Sequence, residues 1–333
     1  MKAENSRRFF WLVSIALLFT LIGISLVIGR GNPSPDDPLM GFISLFWGPH
    51  QADPYFQELI LNVRIPRTIA VVVVGAGLAV CGAALQGAYR NPLVSPYILG
   101  ITSGAGCAAA CALLFTSYIP AVELAAFTGG LVTALITYGL NRFTQVLAGI
   151  AVGTLFGSLT AFIKFLADPS DRLPAIVFWL MGSFSRVTLA DAVPLCAIIL
   201  LGIGILVLSR WQVNLLSIGE ISAETLGVTP PTARLIILAA TALVAAGSVA
   251  LCGVIGWVGL VIPHICRFFC GPDNRFLIPA CAIVGGAYLL AMDILVRAVL
   301  PGDMPIGILT ALIGAPLFAI LLRQSRASWK GAQ

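Results

Sequence analysis

Long apolar runs follow one another along this chain, and most are long enough to cross a lipid bilayer as a helix. About ten runs are bounded by proline, glycine or charge: 9–29, 65–88, 96–115, 119–140, 144–166, 191–209, 233–253, 256–270, 277–298 and 305–322. A helix needs about 20 apolar residues to span the hydrocarbon core of a bilayer. The pattern therefore predicts an all-α polytopic membrane protein with about ten transmembrane helices.

The composition excludes a water-soluble globule. Of the 333 residues, 59% are hydrophobic and only 10% are charged, whereas roughly a quarter are charged in an ordinary soluble domain. So little polar surface cannot cover a soluble core of this size. We expect a single transmembrane domain over residues 1–333, with no sizeable domain outside the membrane.

Several kinds of catalytic or metal site have no sequence support. Lysine occurs only at Lys2, Lys164 and Lys330. None of them stands in the glycine-rich arrangement that cradles nucleotide phosphates, so the chain carries no P-loop ATPase of its own. The one cluster of potential metal ligands is His264, Cys266 and Cys270, which we interpret mainly as packing in an apolar run. We expect no catalytic residue, no metal and no cofactor.

Basic residues predict the orientation of the chain. Lys2, Arg7 and Arg8 precede the first run, which is too long for a signal-peptide core and lacks a small-residue cleavage site. Basic flanks face the cytoplasm. Residues 1–8, the loop at about 211–233 and the C-terminus at 324–333 are therefore predicted to be cytoplasmic, in a multi-pass protein of the cytoplasmic (inner) membrane. The net charge of +5 reports this topology rather than a nucleic-acid partner.

Arginines at the predicted outer ends oppose this bias. Arg64 and Arg67 flank the start of the second span, and Arg297 lies near the end of the ninth. Lipid headgroups or a nearby acid such as Glu58 would explain the first two, and Asp293 lies one turn before Arg297 and can pair with it. Alternatively, the arginines form a positive patch that docks carboxylates of an extracytoplasmic partner.

Glycines recur every four residues in the fifth span, at Gly149, Gly153 and Gly157. Small residues at this spacing let two helices approach closely. The same smooth face would also suit the wall of a translocation pathway, and both interpretations can hold for one helix.

The predicted inner loop contains a short helical stretch. Ser217 and Glu220 have the spacing of a capping box, and Gly227 is placed to end the helix. Thr229 and the prolines after it begin the next span. This element is either an interfacial loop or a rigid contact on which a soluble motor protein pushes.

Taken together, these motifs resemble the FecCD-type permeases, the membrane subunits of ABC importers for iron-siderophores, haem and cobalamin. The resemblance runs from about residue 55 to 323. It is carried by Arg64–Arg67 (RIPR), Gly82–Leu93 (GAALQGAYRNPL), Leu99–Ala105 (LGITSGA), Phe178–Ser183 (FWLMGS), Glu220–Val228 and Met304–Pro316 (MPIGILTALIGAP).

The resemblance implies the type II ABC importer permease fold, with ten spans in a homodimer or close heterodimer. It also implies two separate ABC ATPase subunits and a periplasmic or lipid-anchored substrate-binding protein. Arg64, Arg67 and Arg297 match positions that receive glutamates of the binding protein. The ATPase would contact Ser217, Glu220, Ala223, Glu224, Leu226, Gly227 and Thr229, and Gly149, Gly153 and Gly157 would face the pathway between the two copies.

Other functions fit the sequence less well. An ion-coupled secondary transporter would need acids or histidines near the middle of the membrane, whereas Glu123, Asp191 and Asp293 fall near the predicted outer ends. A membrane enzyme would need clustered catalytic residues, such as an H-E-x-x-H motif or paired acids within the membrane, and the sequence contains neither. The resemblance implies a metal chelate as cargo, with ferric siderophore first and haem, cobalamin and molybdate as alternatives.

Overall fold

The computed structural model describes residues 2–28, 54–140, 145–298 and 304–330, and these residues form helices and turns without any β-strand. A π-helical turn, Ile60–Arg64, directly precedes the helix that begins at Ile65. The helices are α1 (Lys2–Val27), α2 (Pro54–Leu59), α3 (Ile65–Ala88), α4 (Ile101–Phe115), α5 (Ile119–Leu140), α6 (Gln145–Leu166), α7 (Arg172–Leu180), α8 (Leu189–Leu208), α9 (Arg210–Ile218), α10 (Glu220–Thr225), α11 (Pro230–Cys252), α12 (Val258–Cys270), α13 (Asn274–Ala298) and α14 (Ile306–Lys330).

The ten predicted spans correspond to helices in the described part of the chain. Seven helices there are long and apolar enough to cross a membrane, and α4, α12 and the apolar part of α14 are three shorter apolar helices. The third predicted span begins too early, because α4 starts only at Ile101. Pro96 lies in the preceding turn, and Gly100 caps α4 with a φ of +79°, a conformation that favours glycine.

The core of the bundle is formed by α3, α11 and α13, which are the most buried of the long helices. α3 lies at the centre and packs against α13, α8, α12 and α11. α1 and α6 are mostly exposed, and their outward side chains include Phe19, Phe162 and Phe165. These apolar outer faces suit contact with lipid or with another membrane subunit.

Glycine lets α3 approach two neighbours at backbone distance. A Cβ atom built on Gly75 would lie 2.5 Å from the carbonyl oxygen of Gly285 in α13, and one on Gly82 would lie 1.8 Å from that of Gly259 in α12. Both distances are shorter than any real Cβ contact, so no other residue fits without moving a backbone. The glycines of the second span are therefore packing residues.

The helix ends gather into two groups. At one end the α1 C-terminus meets Arg64 and Arg297, and we call this the arginine end. At the other, the backbone N–H of Asn274 donates to the Asn214 side chain at 3.0 Å, which joins α13 to α9. We call this the loop end, because it holds residues 208–230. Alternating spans predict this separation, with the loop end facing the cytoplasm.

Candidate functional site

Asp293 is shared by two of the predicted docking arginines. Arg67 donates from Nε at 3.0 Å and from Nη2 at 2.8 Å to Oδ1 of Asp293. Arg297, one helical turn further along α13, forms an ion pair from Nε to Oδ2 at 2.8 Å. The expected pairing of Asp293 with Arg297 is confirmed, and Arg67 joins it.

Arg64 and Arg297 also bind the end of α1. Arg64 Nη1 donates to the carbonyl oxygens of Leu26 at 2.8 Å and Val27 at 2.9 Å, and Arg297 Nη2 donates to the Ser25 hydroxyl at 2.7 Å. The last carbonyls of a helix have no partner within it and carry partial negative charge. A positive charge at Arg64 is unfavourable beside the N-terminus of α3, but the Arg64 guanidinium satisfies carbonyl oxygens at the C-terminus of α1. This contact explains why an arginine occupies the position.

The arginine end is therefore a compact, largely internal cluster. The exposed fraction is 3% for Arg64, 13% for the Arg67 side chain and 10% for that of Arg297. Ser25 Oγ lies 2.7 Å from Thr68 Oγ1, so α1 and α3 are joined a second time. Among the described residues, the cluster has three guanidinium groups and one carboxylate, and all four lie at one end of the bundle.

At the loop end, α9 and α10 form a helix-turn-helix element with a glycine-based cap. The N–H of Val228 donates to the carbonyl of Ala223 at 2.9 Å, and the N–H of Gly227 donates to that of Glu224 at 3.0 Å. Gly227 has a φ of +82°. This is the Schellman arrangement, so Gly227 ends the helix as predicted.

The predicted capping box is wrong. Ser217 lies in the last turn of α9, and its hydroxyl donates to the carbonyl of Asn214 at 2.6 Å. Gly219 occupies the N-cap of α10 and has no side chain to cap it. Thr229 does precede α11, which begins at Pro230, but its side chain forms no capping hydrogen bond.

Glu220 instead starts a chain of contacts into the bundle. Its carboxylate pairs with Arg234 of α11, and the Arg234 guanidinium lies 5.9 Å from the centre of the Tyr89 ring. The Tyr89 hydroxyl donates to the side chain of Gln145, the first residue of α6. Burial raises the pKa of Tyr89 to about 12, so the phenol keeps the proton that it donates. Contacts thus connect α10 to the N-terminus of α6.

One face of the element is anchored and the other is free. Ala223 is fully buried against the bundle, while Ile221 is 81% exposed, and Ile218 and Leu226 are each 61% exposed. Glu224, Thr225 and Gly227 are also exposed. An apolar ridge on a short, capped helix at a polar membrane face is typical of a protein contact surface.

The three glycines of α6 have different surroundings. A Cβ on Gly149 would lie 2.6 Å from Cα of Leu99, and one on Gly153 would lie 3.4 Å from Cα of Gly100. Gly157 has nothing within 4 Å of that position. Each four-residue step rotates about 40° around a helix axis, so the row turns from the packed face to the open one. Close packing requires a glycine at Gly149, a Cβ on Gly153 would lie at ordinary contact distance, and of the three glycines only Gly157 faces open space.

Some of these partners could not be read from the sequence. Ser25, the Arg67–Asp293 pair and the Arg234–Tyr89 contact join residues far apart in the chain. The sequence gives one indication of these contacts, because Asp293 and Ser25 lie near ends of predicted spans where arginines also lie. His264, considered as a metal ligand, places Nδ1 2.8 Å from the Leu260 carbonyl. The described residues contain no group of three or more potential ligands that could hold a metal.

Comparisons with known proteins agree with this architecture. The molybdate import permease MolB of Haemophilus influenzae is 36% identical over 332 residues, covering 97% of each chain. The vitamin B12 import permease BtuC of Escherichia coli is 37% identical over 330 residues, covering 95% of each. A solved structure described as an inward-facing metal-chelate type ABC transporter superposes with a TM-score of 0.85 and 35% identity, over 95% of this chain and 99% of that one.

The type II importer permease fold is thereby confirmed. The model of the FecCD transport family matches residues 16–324, nearly the whole chain. With about ten apolar helices, a capped loop element and relatives of equal length, the chain belongs to the FecCD transport family, the permease subunits of ABC importers.

Proposed function

We propose that this chain carries a metal chelate across the cytoplasmic membrane, and that separate ATPase subunits drive it through α9 and α10. The observation that carries the proposal is the exposed apolar ridge of Ile218, Ile221 and Leu226 on an element whose other side is fixed to the bundle. A rigid element transmits a push, whereas a flexible loop would absorb it. The chain itself hydrolyses no ATP.

Movement of α10 would reach the interior of the bundle through a series of direct contacts. Closure of the ATPase dimer moves α10, the Glu220–Arg234 ion pair moves α11 with it, and Tyr89 passes the movement to Gln145 at the start of α6. The predicted ATPase contact comprises Ser217, Glu220, Ala223, Glu224, Leu226, Gly227 and Thr229. Ala223 is buried and anchors the element to the bundle, and the exposed residues of this set would touch the ATPase. The loop end therefore faces the cytoplasm, as do both termini.

Docking of a binding protein is proposed for the arginine end. The guanidinium groups of Arg64, Arg67 and Arg297 attract glutamates of a periplasmic or lipid-anchored partner. Arg67 is the most exposed of the three, so it is the residue best able to reach a carboxylate. The partner then competes with Asp293 for that guanidinium.

A second copy of the chain is proposed to pack along α6, with the translocation pathway between the two copies. In support, among the described helices α6 packs extensively only against α4 and α5. It leaves a long apolar face that includes Leu155 and Phe162. Gly157 lies on the open side and would border the pathway.

The proposed cargo is a ferric siderophore. Relatives in the family include importers of molybdate, vitamin B12 and iron chelates, and the superposed solved structure is of the metal-chelate type. Haem, cobalamin and molybdate remain the alternatives. Ion-coupled transport has less support, because the Asp293 carboxylate is 1% exposed and paired with two arginines, which leaves it unavailable to a coupling proton or sodium ion.

For the coupling path, the variants Glu220→Arg and Arg234→Glu should each assemble with the ATPase but lose substrate-stimulated ATP hydrolysis severalfold. The double variant restores an ion pair and should recover most of the stimulation. Glu224→Arg makes the same charge change at a residue that forms no ion pair within the described part of the chain. Arg234→Glu should therefore not rescue this variant. Equal rescue of both, or full stimulation in the single variants, would refute the path.

For docking, Arg67→Ala should weaken binding of the loaded binding protein by about ten-fold or more, since it removes one charge-assisted contact. Asp293→Asn should lower the melting temperature, because it leaves buried cations without their carboxylate, yet it should not weaken docking. Asp171→Asn breaks an exposed ion pair and should change neither quantity. If Arg67→Ala binds the partner normally while the melting temperature falls, the arginine is structural only.

For the pathway, Gly157→Trp should slow uptake several-fold while leaving the melting temperature unchanged, because open space surrounds this position. Gly204→Trp is the matched control, since nothing lies within 4 Å of a Cβ there either and it sits on α8. Uptake assays in vesicles check both. Similar uptake by the two variants argues against a pathway along α6.

A further inference from the structure

An open groove at the loop end lies at the N-terminal end of α9, apart from the exposed residues Ile218, Ile221 and Leu226 proposed for coupling. It runs between α1, α9 and the first turns of α13, and has a volume of about 570 Å³. Aromatic rings, two arginines and a proline line it, and no carboxylate does: Trp11, Arg210, Trp211, Arg275, Phe276 and Pro279.

The two arginines differ in how far their charge is compensated. Arg275 is held by Asp273, with Nη2 2.6 Å from Oδ2, and its side chain is still 49% exposed. Arg210 is exposed, and its side chain forms no hydrogen bond or ion pair with the described part of the chain. The groove therefore presents one uncompensated positive charge beside a second guanidinium whose position is fixed.

The aromatic side chains give the groove an apolar wall. Trp211 is 48% exposed and Phe276 39%, and the Arg275 guanidinium lies 5.4 Å from the centre of the Trp211 ring. Tryptophan is enriched where a membrane meets water, because its ring is apolar and its N–H is polar. The groove thus combines an interfacial aromatic surface with positive charge.

The groove also opens towards the lipid-facing side of the bundle. Trp11 belongs to α1, a peripheral helix whose neighbouring side chains Phe9 and Leu12 are 70% and 69% exposed. An occupant with acyl chains could lie along α1 while its polar head enters the groove. A small soluble anion would use only the arginines and leave the aromatic surface bare.

We propose that this groove binds the headgroup of an anionic glycerophospholipid from the membrane leaflet at the loop end. The phosphate accepts hydrogen bonds from Arg210 and Arg275, and the upper acyl chains pack on Trp11 and Phe276. Basic pockets between transmembrane helices on the cytoplasmic side bind such headgroups through charge-assisted contacts. The site goes beyond the transport function and does not depend on which cargo is carried.

Native mass spectrometry of the full-length chain in mild detergent tests the site, with phosphatidylglycerol and phosphatidylcholine as probes. The wild type should retain phosphatidylglycerol at least ten-fold more strongly than phosphatidylcholine, and Arg210→Gln should reduce that retention about ten-fold. Arg90→Gln changes another exposed arginine of the loop end and should retain the lipid like the wild type.

Three results would overturn the proposal. The first is equal retention of the two lipids, and the second is unchanged retention in Arg210→Gln. The third is complete displacement of phosphatidylglycerol by millimolar inorganic phosphate, which would make the groove a simple anion site. Because the Arg210 side chain is exposed and forms no hydrogen bond or ion pair with the described residues, its replacement should leave the melting temperature unchanged. That measurement separates loss of lipid from loss of fold.

Discussion

The bundle depends on α3 lying in backbone contact with its neighbours. In lipid, apolar side chains gain little by associating with one another, so helices are held by close packing and by hydrogen bonds. Gly75 against Gly285 and Gly82 against Gly259 bring α3 onto α13 and α12 at distances that only glycine permits. Around this contact, α8 and α11 pack in turn, and the less buried helices cover the outside.

Strong polar contacts are concentrated at the two ends of the bundle. At the arginine end, Asp293 binds Arg67 and Arg297, which fastens α13 to α3, while Arg64 and Arg297 hold the end of α1. At the loop end, the Glu220–Arg234 ion pair fastens α10 to α11. A tightly packed centre with separately cross-linked ends suits a protein that receives a push at one face and a cargo at the other.

Most of the fold could be predicted because lipid imposes a simple pattern on the sequence. Apolar runs gave the spans, Gly227 gave the end of α10, and Asp293 one turn before Arg297 gave their pairing. The capping box at Ser217 was wrong because a glycine, Gly219, lies between α9 and α10 and its backbone makes the turn. The bond from Arg67 to Asp293 joins residues 226 positions apart, and no local pattern reports such a contact.

Transport by this chain is proposed to be driven by ATP hydrolysis on separate subunits. The direct test is uptake of a ferric siderophore into proteoliposomes that contain the chain, its ATPase and its binding protein, with ionophores collapsing all ion gradients. Uptake should require ATP and the ATPase subunit and should be unaffected by the ionophores. Uptake that proceeds without ATP and stops when the gradients collapse would contradict it.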